Sequence, residues 1–224
     1  MNQAELTGQV RSHISDISEP ACVLHRETAA PFFSLRRAAS AAGIDLVPES
    51  SFRDFSRQLL IWNGKFTGER PMHDADGRLL DGAALPPAER VDAILLWSAL
   101  PGASRHHWGT DLDLIDRQAV APGYRVKLTR EEFAPGGPFA RLAEWLEEHA
   151  PRFGFFRPYR GIRSGVQPEP WHFSFAPTAE RARRSLTAGI LHDALAQAPL
   201  LGKEMVLPRI EELHARYVAS VEIP

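Results

Sequence analysis

Between Ser104 and Asp113 the chain reads Ser-Arg-His-His-Trp-Gly-Thr-Asp-Leu-Asp, and this stretch constrains the fold more than any other. Two histidines and two aspartates flank a glycine, and the alternating run Asp111-Leu112-Asp113-Leu114-Ile115-Asp116 follows at once. A period of two predicts a strand with Asp111 and Asp113 on one face and Leu112 and Leu114 on the other. A carboxylate beside a cation at ~2 Å is strongly stabilised, whereas two buried, unpaired acids are costly. A cation near Asp113 is the economical explanation, although both aspartates cannot be assumed to be ligands.

A second polar cluster, Glu169-Pro170-Trp171-His172, opens the strand-like run Phe173-Ser174-Phe175. In a regular strand the odd offset between Glu169 and His172 would put them on opposite faces. Pro170 places Glu169 before the ladder, in a turn or bulge, from which it can swing to the side of His172. His106 and Asp113 lie across the glycine turn at a spacing that is not helical, but a turn entering a strand can aim both at one point. His106, Asp113 and His172 then make three ligands, with an open position for water and Glu169 as general base, which is the requirement of a catalytic zinc site. Zinc lowers the pKa of a bound water from 15.7 to about 7, within reach of a carboxylate base near neutral pH. The expectation is a zinc peptidase with one zinc per chain; a His2Asp set suits zinc without excluding iron, manganese or cobalt.

Composition bounds the rest. At 224 residues with 44% hydrophobic content, the chain can bury one sizeable core. Basic and acidic residues nearly balance, 26 against 28, so net charge implies no nucleic-acid or anionic-membrane partner. Cys22 is the only cysteine, so no intrachain disulfide can form, which fits a reducing compartment. The start, Met1 to Leu6, is not a secretory signal as written, and the longest apolar candidate, Ala93 to Leu100, falls far short of the ~20 residues of a membrane span. A cytoplasmic location is expected.

Periodicity predicts an α+β domain: a small, mostly antiparallel sheet carrying the zinc site and flanked by helices. Residues 1–26 are unpatterned, with a short helix at most. Helices are expected from Glu27 to Ala42 with Gly43 as C-cap, from Phe55 to about Trp62 with Asp54 as N-cap, from Pro86-Pro87 to Leu96, and from Phe139 to His149. Strands are expected at Ile44 to Val47, after Gly109, at Tyr124 to Leu128, at Phe153 to Phe156 and at Trp171 to Phe175. Residues 64–84 and 158–168 read as loops, the first over or beside the site. The division expected is a zinc peptidase domain at 1–176 (core about 44–176) and a helical C-terminal extension at 177–224, broken at Gly189, at Pro199 to Gly202 and at Pro208. In that extension Leu207, Ile210, Leu213 and Tyr217 mark one buried face.

The pattern Ser104-x-His106-x-x-Gly109-x-x-x-Asp113, followed by Glu169-x-Trp171-His172, resembles D-alanyl-D-alanine carboxypeptidases of the VanY type. Their zinc fold is shared with lysostaphin-type peptidases and the hedgehog signalling domain. Upstream, Ser51-Phe52-Arg53-Asp54-Phe55-Ser56-Arg57-Gln58 resembles the family's Ser-x-Tyr-Arg-Ser-x-x-x-Gln element. The three motifs stand in order over residues 44–176. The resemblance implies His106, Asp113 and His172 as zinc ligands, Glu169 as catalytic base, and Arg53 polarising the scissile carbonyl. It further implies Ser104 near the substrate's terminal carboxylate, Gln58 as a structural or substrate-side residue, and Trp171 on the pocket wall. The substrate implied is a peptide derived from peptidoglycan. The family usually has alanine at Asp111, tyrosine at Phe52 and serine at Asp54, departures that bear on specificity.

Other residues carry blander expectations. His107 is a satisfied or exposed histidine, because a fourth ligand would close the water position. His13, His25, His73, His149, His192 and His214 read as surface or capping residues, Asp111 as a salt-bridged acid behind the ligands, and Trp62, Trp97 and Trp145 as core. The run from Arg181 to Arg184 reads as a solvated helix face. Alternatives to a carboxypeptidase are a D,D- or L,D-dipeptidase or endopeptidase on muropeptides, and a non-catalytic, zinc-stabilised binding module.

Overall fold

The computed structural model describes residues 1–161 and 165–221. A short helix α1 (Gln3–Leu6) precedes a hairpin of β1 (Ile14–Ser18) and β2 (Ala21–His25), and then α2 (Arg26–Ala41). Strand β3 (Leu46–Ser50), helix α3 (Phe55–Phe66), a hairpin of β4 (Met72–His73) and β5 (Leu79–Leu80), and α4 (Pro87–Leu95) lead to the histidine turn. Strand β6 (Asp111–Asp116), helices α5 (Arg130–Phe133) and α6 (Ala140–His149), and strands β7 (Phe155–Phe156) and β8 (His172–Phe175) complete the sheet. Helices α7 (Ala176–Ser185), α8 (Ala188–Ala196), α9 (Lys203–Val206) and α10 (Ile210–His214) follow.

The main sheet has four strands in the order β3-β6-β8-β7, every neighbouring pair antiparallel. This is the small antiparallel sheet among helices that the periodicity predicts. Each residue of β6 is buried, so its alternation does not mark a wet face. Leu112 and Leu114 face one hydrophobic cluster, shared with Phe32, Leu35, Leu142, Leu146 and Phe173 from α2, α6 and β8. The acidic side faces the site.

A second cluster joins α3 and α4 to the C-terminal helices through Trp62, Val91, Leu95, Leu191, Ile210 and Leu213. The face marked by Leu207, Ile210, Leu213 and Tyr217 is buried there, with Leu207 and Tyr217 at its margin. Gly189 does not break the chain of helices; it lies in the first turn of α8, where Thr187 caps by accepting from Ile190 N–H.

Three further expectations change. Residues 1–26 hold a hairpin that the mixed apolar pattern did not reveal. Residues 64–84 contain the β4–β5 hairpin, only two residues a side. Tyr124 to Leu128 forms no strand: no described strand pairs with it, and Leu128 adopts a left-handed φ of 53°. Part of the expected 158–168 loop, residues 162–164, lies outside the described residues.

Gly109 ends the histidine turn at φ +66°, and its carbonyl accepts from His25 N–H at 2.8 Å. A Cβ there would stand 2.7 Å from His25 N and 3.2 Å from Leu24 C, atoms that cannot swing aside. Gly109→Ala is therefore expected to cost at least about 2 kcal/mol and to lower the thermal unfolding midpoint by ~5 °C or more. An unchanged midpoint would mean that the turn relaxes.

Candidate metal centre

Strand register assembles the site. In the β6–β8 ladder His172 stands directly opposite Asp113, and Ser174 opposite Asp111. Side chains so paired on one face begin only ~5 Å apart. His106 arrives from the turn Arg105–Trp108 that Gly109 closes. Its Nε2 lies 3.4 Å from Asp113 Oδ2, while His172 Nδ1 lies 3.1 Å from Asp113 Oδ1. The three residues are buried, and each offers a ligand atom within 4.8 Å of the others. Tetrahedral bonds of ~2 Å put ligand atoms about 3.3 Å apart, so the spacing suits one small cation.

Proton placement makes the stronger case. His106 Nδ1 lies 2.8 Å from the Ser51 carbonyl, which can only accept, so Nδ1 carries the proton and Nε2 turns a lone pair toward Asp113. His172 Nε2 donates to Asp111 Oδ1 at 2.9 Å, which leaves Nδ1 facing Asp113 and Glu169. Among the described residues Asp113 Oδ1, though close to that nitrogen, makes no hydrogen bond. Burial raises the Asp113 carboxyl, but His106 and His172 outweigh it and hold the group far below its ordinary range. Burial likewise lowers His172, yet Asp111, Asp113 and Glu169 raise it well above its ordinary value. A second proton on His172 would answer one of these contacts and leave the His106 lone pair against Asp113. A divalent cation answers all three, and among the described residues no fourth ligand closes the remaining position. The residues fit a zinc ion.

Behind His172 lies a buried polar network. Asp111 Oδ1 also accepts from Arg105 Nε at 2.7 Å, and its Oδ2 accepts from Thr110 Oγ1 at 2.6 Å and Ser174 Oγ at 2.9 Å. Arg105 donates its remaining fork to Ser174 Oγ and lies over the Trp108 ring at 4.9 Å. Burial raises the Asp111 carboxyl, but Arg105 and His172 reverse the effect and keep it ionised. Asp111 is the salt-bridged acid expected from the sequence, and it orients a ring of the metal cluster.

Glu169 reaches the same point, with Oε2 3.3 Å from His172 Nδ1. It sits before β8, as Pro170 requires, and its N–H donates to Tyr159 O. Arg53 and Glu169 line one cavity of about 540 Å³ together with Ser104, His106, Asp113, Trp171 and His172. Gln58 stands behind Arg53. Its Oε1 accepts from Arg53 Nη1 at 2.9 Å and its Nε2 donates to Ala99 O at 2.7 Å, so it is held away from the cavity as a structural residue.

His107 is fully buried and satisfied. Its Nδ1 donates to Arg53 O at 2.5 Å and its Nε2 accepts from Gly102 N–H at 3.0 Å, which ties the Arg53 backbone to the histidine turn. Burial pushes its pKa down to about 3. The folded chain thus stays unprotonated where the unfolded chain, near 6.5, takes up a proton, and stability is lost as pH falls from about 6.5 toward 3. The loss from this group is on the order of 4 kcal/mol across that window. His107→Asn is expected to be less stable at pH 8 and to show a flatter decline in urea stability between pH 8 and 5. An equal slope in both proteins would assign the acid sensitivity elsewhere.

Among the other histidines, His25 caps α2 as expected, accepting from Glu27 N–H. His13 is not on the surface: it is buried, with Nε2 2.9 Å from His107 O. His73 lines the cavity. Sequence patterns also missed Tyr159, whose ring packs edge-on to His172 at 5.0 Å, and the cavity wall contributed by Leu191, Leu213 and Tyr217. None of these residues lies in a motif; only chain folding brings them in.

Residues 21–178 match the family model of VanY, D-alanyl-D-alanine carboxypeptidase. The chain belongs to this family. Two uncharacterized proteins of Haemophilus influenzae are similar to it. One is 35% identical over 121 residues, covering 53% of this chain and 92% of the relative; the other is 43% identical over 98 residues, covering 42% and 67%. Among solved structures, VanYB in complex with D-alanine-D-alanine superposes with a TM-score of 0.56 at 22% identity, covering 88% of both chains. A mutant of the vancomycin resistance D,D-pentapeptidase VanY in complex with Zn(II) gives 0.54 at 22% identity, covering 88% of this chain and 90% of that one. At that identity the likeness establishes that this VanY-family chain shares their fold.

Proposed function

We propose that the chain is a zinc-dependent peptidase of the D-alanyl-D-alanine carboxypeptidase type, acting on peptidoglycan stem peptides with one zinc held by His106, Asp113 and His172. The observation that carries this reading is the convergence of one ring nitrogen each from His106 and His172 and the Asp113 carboxylate on one buried point, beside Glu169, in a cavity that also holds Arg53. Family membership supports the substrate class. A zinc ion there supplies Lewis acidity, polarising a carbonyl and lowering the pKa of a water toward about 7.

The chain's own residues do the rest. Glu169 accepts a proton from the attacking water on its carboxylate and delivers it to the leaving amine. Attack on an amide places negative charge on the carbonyl oxygen, and Arg53, braced by Gln58, donates to it as that charge develops; losing such a donor costs about 3 kcal/mol of transition-state stabilisation. Ser104 and Trp171 line the substrate side of the cavity. The test is D-alanine release from a muropeptide ending in D-Ala-D-Ala, with zinc-loaded and chelated protein side by side. Release by the zinc form alone is expected. No release from a protein that retains one zinc would move the reading to another peptide bond, and absence of bound metal would overturn it.

A further inference from the structure

Glu169 stands on backbone that no strand holds. Among the described residues the segment between β7 and β8 that carries it has no ladder partner, and Pro168 and Pro170 on either side of it lack an N–H. Backbone bonds tether it sparsely: Gln167 N–H donates to Leu96 O at 2.9 Å, Glu169 N–H to Tyr159 O at 3.1 Å, and His172 N–H to Glu169 O at 3.3 Å. Each proline restricts its own φ and the residue before it, so Pro168-Glu169-Pro170 is a stiff unit. Whatever grips Pro168 therefore places the Glu169 carboxylate.

One side chain grips it there. Arg130 Nη2 donates to Gln167 Oε1 at 2.6 Å, and its Nε donates to Pro168 O at 3.4 Å. Gln167 is buried, so its amide oxygen depends on that partner. The Arg130 guanidinium also lies over the Trp97 ring at 5.0 Å. Trp97 is held in turn, because its Nε1–H donates to Asp74 O at 2.9 Å in the turn between β4 and β5.

The near end of Arg130 is fixed as firmly. Buried Glu132 accepts from Tyr124 Oη at 2.8 Å, from Lys127 N–H at 3.1 Å and from Thr129 N–H at 3.1 Å. These bonds pin the unpaired stretch before α5 at the point where Arg130 leaves it. Trp97, Arg130 and Glu169 line the same cavity. Yet the side-chain hydrogen bonds of Arg130 among the described residues run to the segment ahead of Glu169, not across to the metal cluster.

We propose that Arg130 is a positioning residue: clamped on Trp97, it holds Gln167 and Pro168 so that the Glu169 carboxylate stands at the metal cluster. Its effect on rate rests on the peptidase reading; the clamp itself does not.

The experiment uses zinc-loaded wild type, Arg130→Gln, Arg130→Lys and Gln167→Leu, with D-alanine release, zinc content and amide hydrogen exchange measured on each. Arg130→Gln is expected to lower kcat by ~10–100-fold, with KM within threefold and one zinc retained, as loosening of a catalytic group requires. Arg130→Lys, which can still reach Gln167 Oε1 over the Trp97 ring, should recover most of the rate. Gln167→Leu should lose part of it, and the double variant should be no worse than Arg130→Gln alone. A rise in KM with kcat unchanged would make Arg130 a substrate-binding residue and overturn the proposal, as would a kcat within threefold of wild type. Hydrogen exchange decides the clamp whether or not the protein cleaves the peptide. In Arg130→Gln the Gln167 and Glu169 amides should exchange at least ~10-fold faster, while Leu114 N–H, bonded to Trp171 O at 2.9 Å on the ladder side, keeps its wild-type rate. That pattern in a protein without peptidase activity upholds the clamp and removes the peptidase. Unchanged exchange at Gln167 and Glu169, or an equal rise at all three amides, overturns the clamp and leaves the peptidase standing.

Discussion

Glu169→Gln is expected to lower kcat for D-alanine release by ~10²–10⁴-fold while leaving zinc content unchanged. The carboxylate stands 3.3 Å from His172 Nδ1 and opens on the cavity, where a water between cluster and substrate lies within its reach. Glutamine keeps the shape and loses the capacity to hold a proton, so KM should change little. Kinetics and metal content read together separate the possible roles. A rate within tenfold of wild type would remove Glu169 as the base. Loss of zinc along with activity would make it a ligand instead.

Asp111→Ala is expected to have the largest effect on the protein itself. Removing one partner of a buried ion pair strands the other, at a typical cost of about 3–5 kcal/mol. Here the stranded group is Arg105, almost wholly buried between Trp108 and Phe156. Asp111 also accepts the Nε2 proton of His172, and that bond decides which nitrogen faces the cluster. Freed of it, the ring can present either tautomer, and zinc affinity should fall by ~10–100-fold. Urea unfolding of the metal-free protein checks the first effect, and competition with a chromophoric chelator checks the second. Destabilisation without loss of zinc affinity would show that His172 is held by its strand alone.

Much of the site was legible in the sequence because its parts lie in short local patterns. The alternation of Asp111 to Asp116 fixes which residues share a face, and Gly109 marks the turn that brings His106 to the strand. Pro170 placed Glu169 outside the ladder, and Asp54 caps its helix where its short polar side chain allows it. The errors fell where pairing is not local. Tyr124 to Leu128 has strand-forming residues but no neighbour to bond to, and the residues of β1 and β2 form strands only because each supplies the other's ladder. His13 departs from its expected surface position for a related reason: it is buried because the histidine turn packs over it.

The sequence by itself determined the chemistry: which side chains can hold a cation, which carboxylate stands apart from them, and the α+β class that carries them. Those follow from residue type and spacing along one or two elements. Tertiary structure alone decided the register that sets His172 opposite Asp113 and the outer hydrogen bonds, to Ser51 O and Asp111, that aim one ring nitrogen of each histidine inward. It also decided the use of the C-terminal helices as a cavity wall through Leu191, Leu213 and Tyr217. These depend on contacts between segments far apart in the chain, and no local pattern encodes what a distant backbone will place across from it.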